Sequence, residues 1–187
     1  MTTWIKKLFK KPEMVTDAQV YYDFDISRIK DFATCGWKLG KTHGVSHWQR
    51  VERNGILLST ENGCLRKGVR IKVILAFAYL HDKCRIDDWE DLEHGIRAAE
   101  MIQSIRKTVL KDLDNEEIDL LEKACRYHTT EHRTGNATID ICFDADRLDL
   151  ERVGIIPDPE RMATEQGAYY AANIHLVNKM HIQSGIL

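Results

Sequence analysis

The stretch VILAFAYLHDKCR, residues 73–85, joins a long apolar run to a histidine and an aspartate. The apolar run that begins at Val73 is typical of a helix that is buried on all sides. His81 and Asp82 follow it directly, at the end of the predicted core helix. Burying a carboxylate without a partner costs on the order of several kcal/mol, so this pair needs a cation or a dense set of hydrogen bonds. The stretch therefore predicts a core helix that ends in a polar site.

The whole chain has the size and composition of one soluble globular domain. It has 187 residues, of which 43% are hydrophobic and 30% charged. The net charge of −2 gives no general basic field for nucleic acid or for an anionic membrane. No apolar run approaches the roughly 20 residues that span a bilayer. Near the N-terminus, Lys6, Lys7, Lys10 and Lys11 alternate with apolar residues, unlike a signal peptide, so we expect a cytoplasmic protein.

Five scattered cysteines indicate neither a disulfide framework nor a zinc ribbon. Their number is odd and they form no Cys-x-x-Cys pair. We expect all five to be small buried apolar residues. They are Cys35, Cys64, Cys84, Cys125 and Cys142.

The spacing of apolar residues predicts an all-α fold of six or seven helices, because strand-like alternation is nowhere sustained. Residues 1–24 form an N-terminal extension and residues 25–187 a single domain. We expect Met1–Phe9 to be a short amphipathic helix that docks on this domain, with membrane contact as the alternative. The domain's helices are predicted over Ile29–Trp37 (capped by Asp25 or Ser27), Ser46–Leu58 (capped by Ser46), Val69–Leu80, His94–Val109, Glu116–His128 (capped by Asp114), Ile139–Leu150 and Glu160–Met180.

Histidines and aspartates recur where these predicted helices begin or end. Imidazole nitrogen and carboxylate oxygen without thiolate suit Mn, Fe, Co, Ni or Zn ions. Several helices that each donate one ligand to a bundle core are a known way to build a metal site. The alternative is that each histidine is a surface residue or a hydrogen-bonded core residue, and we assign His132, His175 and His181 to that class. The remaining candidates are His43, His47, His81, Asp82, His94, His128, Asp144 and Asp146.

Three motifs in this order resemble the HD superfamily of metal-dependent phosphohydrolases. His47–Val51, HWQRV, is similar to its H-x-x-R-V signature. Leu80–Asp82 resembles its second motif, an apolar residue followed by HD, and Ala145–Leu148, ADRL, resembles the motif that supplies its last ligand. The resemblance covers residues 41–154 and implies the all-α HD fold. It also implies that one metal ion is held by His47, His81, Asp82 and Asp146.

Two further histidines fit subfamilies of the HD superfamily that bind a second metal ion. His94 and His128 stand where HD-GYP-like and diiron HD members place extra histidines. The paired histidine and the G-Y-P turn of the HD-GYP group are absent, which disfavours hydrolysis of cyclic di-GMP. Arg85 replaces the lysine of that group's H-D-I-G-K motif and would offer phosphate a planar fork in place of a point charge.

The resemblance therefore implies a metal-dependent phosphohydrolase, either a phosphomonoesterase or a phosphodiesterase. Its substrate would be a nucleotide or another small phosphorylated molecule, and no nucleic-acid or membrane partner is indicated. Mg joins the candidate metals for this chemistry. We expect one ion rather than two, because no further carboxylate stands beside His94 and His128. The residues expected to act in catalysis are Asp82, Arg85, His94 and His128.

Two other functions stay open at this point. A diiron oxygenase with the HD fold would use His94 and His128 for a second iron. A non-catalytic HD module would bind a metal ion or nucleotide and regulate a partner. In the predicted last motif, Asp144 and Asp146 point about 200° apart on a helix, so only one can face the ion. We choose Asp146 and expect Asp144 to support the site or to lie at the surface, while Arg147 is expected to order the carboxylates.

Overall fold

The computed structural model describes residues 24–62, 64–183 and 185. This part of the chain is mostly helical, as predicted, and contains only one small sheet. Its eight α-helices are α1 (Ser27–Thr34), α2 (Val45–Ser59), α3 (Ile71–Leu80), α4 (His94–Ile105), α5 (Asn115–Tyr127), α6 (Ala137–Arg147), α7 (Glu165–Ala172) and α8 (Ile174–Gln183). Strands β1 (Thr60–Glu61) and β2 (Cys64–Leu65) pair antiparallel, and 3-10 turns cover Leu150–Val153 and Pro159–Arg161.

Helix α3 is the centre of the fold, and this confirms the predicted core helix. Every residue from Val73 to Leu80 is at most 2% exposed. Helices α1, α2, α5 and α6 pack around α3, and α4 lies outside this layer against α5. A helix that is apolar on all sides is stable in water only when neighbours cover all of its faces. The polar residues that follow Leu80 are therefore placed inside the molecule.

Helices α2 and α3 approach each other closely at Gly55. A Cβ atom at this position would lie 2.5 Å from Cγ2 of Ile74, closer than two carbon atoms can pack. The missing side chain lets the backbone of α2 reach the surface of α3. This contact helps to bring His47, near the start of α2, close to His81 after the end of α3.

Side chains cap two of the helices that surround the core. Asp114 accepts a hydrogen bond from the backbone N–H of Glu117 at 2.8 Å, and the Glu117 carboxylate accepts one from the N–H of Asp114 at 3.0 Å. This reciprocal capping box confirms the predicted start of α5. Asn136 caps α6 by accepting from the N–H groups of Thr138 and Ile139.

Several predicted helix limits were wrong. The helix count of six or seven was low because the predicted helix Glu160–Met180 is divided into a 3-10 turn, α7 and α8. The backbone leaves the helical region at Asn173, with φ −126° and ψ 43°. Ser46 does not cap α2, which begins one residue earlier with Gly44 at its N-cap. Trp37 lies beyond the end of α1 at Thr34.

The prediction that all cysteines are buried was also wrong. Cys125 and Cys142 are buried in the core, whereas Cys35 and Cys64 are exposed and Cys84 is half-buried. Cys35 follows the end of α1 and Cys64 lies in the small hairpin, so neither faces the core layer.

The predicted N-terminal helix Met1–Phe9 lies outside the described residues. Within the ranges that the structure describes, no helix combines the length and the apolar character needed to cross a bilayer.

Adding a methyl group at the close approach of α2 and α3 should destabilise the fold. We expect Gly55→Ala to lower the free energy of unfolding by about 1–3 kcal/mol, because Ile74 must move. The same change in an Ile74→Ala background should be neutral or stabilising by up to about 1 kcal/mol, since alanine favours helix over glycine. Urea unfolding followed by circular dichroism measures both. Equal costs in the two backgrounds would show that Ile74 is not the obstacle.

A buried histidine in α8 should make stability depend on pH. Burial lowers the pKa of His181 to about 4, and its Nε2–H donates to Oδ1 of Asn54 at 2.9 Å. As pH falls below 6.5, the imidazole of His181 becomes protonated in the unfolded chain but stays neutral in the folded chain. The free energy of unfolding therefore decreases. Between pH 8 and 5 we expect this group to account for a loss of about 2 kcal/mol. Urea unfolding of His181→Gln should show a smaller loss over this range than wild type, and identical losses would contradict the assignment.

Candidate metal centre

The four side chains predicted to bind one metal ion converge at a single point. His47 Nε2 lies 3.1 Å from His81 Nε2, 3.5 Å from Asp82 Oδ2 and 3.4 Å from Asp146 Oδ1. His81 Nε2 lies 3.4 Å from the same Asp82 oxygen and 3.8 Å from the same Asp146 oxygen. Helices α2 and α6 supply His47 and Asp146, and the turn after α3 supplies the other two. Three chain segments distant in sequence thus contribute to one cluster.

The two carboxylate oxygens of this cluster lack ordinary partners. Asp82 Oδ2 and Asp146 Oδ1 are buried and accept no hydrogen bond from any residue that the structure describes. Buried acceptors of this kind are rare in native proteins because each costs about 1–3 kcal/mol. Both oxygens face imidazole nitrogens at distances longer than a hydrogen bond but suitable for atoms around a common cation. The donor set therefore fits a divalent metal ion.

Both imidazoles of the cluster are held in the tautomer that a metal ligand needs. His47 Nδ1–H donates to Asp149 Oδ2 at 2.7 Å. His81 Nδ1–H donates to the carbonyl oxygen of Phe77 at 3.0 Å. Since these protons are on Nδ1, the neutral rings present lone pairs at Nε2. Two lone pairs 3.1 Å apart repel each other unless a proton or a metal ion lies between them.

His94 and His128 form a second imidazole pair of the same kind. Their Nε2 atoms are 2.9 Å apart. His128 Nδ1–H donates to the Cys125 carbonyl at 2.7 Å, and His94 Nδ1–H donates to the Asp91 carbonyl. Both Nε2 atoms are therefore again acceptors when the rings are neutral.

Asp82 lies between the two imidazole pairs. Its Oδ2 faces His47 and His81, while its Oδ1 is 3.2 Å from His94 Nε2. Asp82, His94 and His128 form a group with metal-ligand geometry of their own, as do His47, His81 and Asp82. The one carboxylate of Asp82 thus offers an oxygen to each imidazole pair.

Arg85 braces the polar loop next to this centre. Its Nη1 lies 3.6 Å from Asp82 Oδ1 and 3.4 Å from His94 Nε2, the acceptor nitrogen of that ring. Its other nitrogens donate to the carbonyl oxygens of Asp87 at 3.2 Å and Trp89 at 2.5 Å. One guanidinium group thus links the candidate metal ligand to the loop that follows.

Sequence reasoning missed two residues that border or brace the centre, Arg152 and Asp149, and gave a third, His43, no role. Arg152 Nη2 lies 3.5 Å from Asp146 Oδ1. Asp149 accepts from His47 and, at 2.6 Å, from Nε of Arg50, so it orients a candidate ligand. His43 was among the candidates but had no assigned role; its Nδ1 lies 3.1 Å from Asp88 Oδ1. The basic character of Arg152, close after the ADRL motif, was the one signal that could have identified it.

Asp144 is neither a ligand nor a surface residue. It is fully buried, its Oδ1 accepts from the Ala163 N–H at 2.7 Å, and its Oδ2 accepts from the N–H and hydroxyl of Thr164. It therefore anchors the segment that leads into α7. Arg147 was expected to order carboxylates, but it mainly donates to the carbonyl oxygens of the 131–132 loop and of Arg161, and lies 3.7 Å from Asp144.

Of the three histidines assigned to ordinary roles, His175 is exposed and the other two have protein partners. His132 Nε2–H donates to the Met162 carbonyl at 3.1 Å, and His181 is buried against Asn54. Neither contacts the candidate metal centre through a hydrogen bond or ion pair within the described residues.

The ionisable groups of the centre shift one another's pKa values. Burial tends to raise the pKa of Asp82 and Asp146, but the imidazoles, and Arg152 for Asp146, hold both pKa values well below the usual range. Burial opposes protonation of His81 and His94, yet the Asp82 carboxylate raises the pKa of each. Burial and the charge of His81 lower the pKa of His128 to about 3. His128 is thus neutral at pH 7 and able to act as an acceptor.

No protein-family model, curated protein or solved structure matches this chain in comparisons with known proteins.

The two aspartates of α6 should respond differently to the same substitution. We expect Asp146→Asn to weaken metal binding at least about ten-fold, because it removes a charged ligand. Asp144→Asn should leave metal content unchanged and lower stability by about 1–3 kcal/mol, because an amide N–H₂ would face buried donors. Elemental analysis and thermal unfolding of both variants measure this. Loss of metal from Asp144→Asn alone would reverse the assignment.

Proposed function

We propose that this protein is a metal-dependent phosphohydrolase that acts on small phosphate esters, as its HD-like motifs imply. The observation that carries the proposal is the convergence of four side chains with carboxylate oxygens that accept no hydrogen bond and with acceptor nitrogens, namely His47, His81, Asp82 and Asp146. Nitrogen and oxygen donors without sulfur suit the divalent ions that support hydrolysis. When bound there, such an ion would supply an acidified water and neutralise charge on a phosphoryl oxygen.

Cationic side chains beside the ligands support phosphate as the substrate group. Arg85 and Arg152 each lie within 3.6 Å of a ligand carboxylate, and their side chains are only 8% and 10% exposed. Arginine presents a planar fork that matches phosphate oxygens. We infer that these two guanidinium groups hold and orient the phosphoryl group at the centre.

The charge state of Asp82 favours the role of ligand over that of proton acceptor. Because its pKa is held well below the usual range, Asp82 is a weak base at neutral pH. Among the side chains of this protein, His43 is a better candidate than Asp82 for the proton acceptor. Its Nδ1 is engaged by Asp88, and its Nε2 has no hydrogen-bond partner among the described residues.

We further propose that the centre would hold two ions, with Asp82 able to serve as a ligand to each. The carboxylate offers one oxygen to the His47 and His81 pair and the other to the His94 and His128 pair. This arrangement also keeps a second function open, an HD-fold diiron oxygenase, since two iron ions could occupy the same ligands. Bound iron together with oxygen consumption would favour that function over hydrolysis.

The number of ions distinguishes a dinuclear from a mononuclear centre. We expect wild-type protein loaded with Mn²⁺ to bind two ions per chain and His94→Ala/His128→Ala to bind one. Asp82→Ala should lose both and melt at a lower temperature, because bound metal stabilises the folded state. Elemental analysis and calorimetric titration measure the counts. Two ions in the double variant would contradict the assignment of His94 and His128.

Hydrolysis is tested with a panel of phosphomonoesters, phosphodiesters and nucleotides in Mn²⁺, Co²⁺, Ni²⁺ and Mg²⁺. Release of phosphate that is lost in His81→Ala supports the proposal. A protein that binds metal but turns over no ester with any of these ions, and consumes no oxygen, would instead be a regulatory module.

A further inference from the structure

In the loop between α3 and α4, the side chains of Arg85, Asp87 and Asp91 form hydrogen bonds within the loop, whereas three apolar side chains are exposed to solvent. Ile86, Trp89 and Leu92 are 71%, 86% and 73% exposed. Single exposed apolar residues are ordinary, but three within seven residues of one loop form a patch of the kind that marks a binding site.

Hydrogen bonds hold this loop in place beside the metal centre. Asp87 Oδ1 accepts from the Trp89 N–H at 2.8 Å, and Asp91 Oδ2 accepts from the Ile86 N–H at 3.0 Å. The Arg85 guanidinium joins the Trp89 carbonyl to Asp82, as described above. The exposed side chains are therefore presented on a braced backbone, close to a candidate ligand.

A second group of exposed apolar residues directly follows Arg152 in the chain. Val153, Ile155 and Ile156 are exposed there. Arg152 Nε donates to the Thr42 carbonyl at 3.0 Å, and the next residue, His43, contacts Asp88 in the first loop. The turn at Thr42 and His43 thus contacts both Asp88 in the first loop and Arg152, the residue before the second apolar segment.

The charges around these segments identify the kind of ligand that would cover them. Arg85 and Arg152 lie between the apolar segments and the metal ligands, which suits an anionic group at the centre. Exposed Glu90 and Glu93 flank the apolar side chains and disfavour an anionic membrane surface. The complementary ligand has a phosphate head and an apolar body, and comes from solution.

We propose that the substrates are amphiphilic phosphate monoesters, whose alkyl or aryl part packs on the rim formed by Ile86, Trp89, Leu92, Val153, Ile155 and Ile156. This inference rests on the proposed function, since the phosphate must occupy the metal centre. Trp89 and its neighbours then determine specificity, because the metal centre itself contacts only the phosphate.

Binding of alkylphosphonates tests this without turnover, because their carbon–phosphorus bond resists hydrolysis. Methyl-, butyl- and hexylphosphonate are titrated into Mn²⁺-loaded protein by calorimetry, all below their micelle concentrations. A fully buried methylene strengthens binding about four-fold, and one half-buried at a rim about two-fold. From methyl to hexyl we therefore expect an increase of about 30-fold.

A matched pair of variants locates the effect. Leu92→Ser and Leu65→Ser make the same change at exposed leucines, 73% and 42% exposed, on the rim and on β2 respectively. Leu92→Ser, Ile86→Ser and Trp89→Ser should each lower hexylphosphonate affinity at least about three-fold and leave methylphosphonate affinity unchanged. Leu65→Ser should change neither.

Each contrary result has a separate meaning. Equal affinities for methyl- and hexylphosphonate would overturn the inference while the metal-dependent phosphohydrolase stands. A chain-length effect that survives in Ile86→Ser and Trp89→Ser would also overturn it. Preference for phosphonate embedded in vesicles over monomers would overturn the solution source. Failure of the protein to bind Mn²⁺ or methylphosphonate at all would instead reject the proposed function.

Discussion

The arrangement of the buried polar groups in this protein depends on a single carboxylate that lies between two pairs of acceptor nitrogens. Asp82 faces His47 and His81 through one oxygen and His94 through the other, with His128 behind His94. Protons on the imidazoles can relieve the repulsion among these groups, and the raised pKa of His81 and of His94 reflects this. Metal ions would relieve it with more charge and without giving up the lone pairs. Protons and metal ions therefore compete for the same positions.

The surrounding fold holds these lone pairs in their unfavourable arrangement. The Nδ1 atom of each imidazole is fixed by an acceptor, namely Asp149, or the carbonyl oxygens of Phe77, Asp91 and Cys125. Two of these carbonyls, those of Phe77 and Cys125, lie in the last turns of α3 and α5, whereas that of Asp91 belongs to the loop before α4. Placing histidines at the ends of α3 and α5 thus satisfies helix ends and orients ligands at once.

Sequence patterns were sufficient where a local stretch determines the outcome. The core helix α3 and the start of α5 at Asp114 follow from neighbouring residues, whereas Asp146 was chosen over Asp144 by the resemblance of ADRL to the HD motif. The role of Asp144 was missed because its partners, Ala163 and Thr164, lie about 20 residues further on.

The residues that brace the centre escaped prediction for the same reason. The hydrogen bond that His47 donates to Asp149 and the one that Arg152 donates to Thr42 join residues 102 and 110 positions apart in the sequence. A pattern of neighbouring residues cannot predict contacts between residues so far apart in the sequence. The four candidate ligands could be named only because motif order and spacing grouped them.

The loop after α3 is rich in aspartate, yet it carries Ile86, Trp89 and Leu92 as exposed apolar residues. Its aspartates accept hydrogen bonds from groups of the protein itself; Asp88, for example, accepts one from the Gly40 N–H at 2.9 Å. Once these groups brace the loop, neither its stability nor the metal centre depends on Ile86, Trp89 or Leu92 being apolar. Polar side chains at these exposed positions would avoid leaving apolar surface in water. Their apolar character is therefore better explained by something that covers them, and the cations beside them favour a ligand with a negative head.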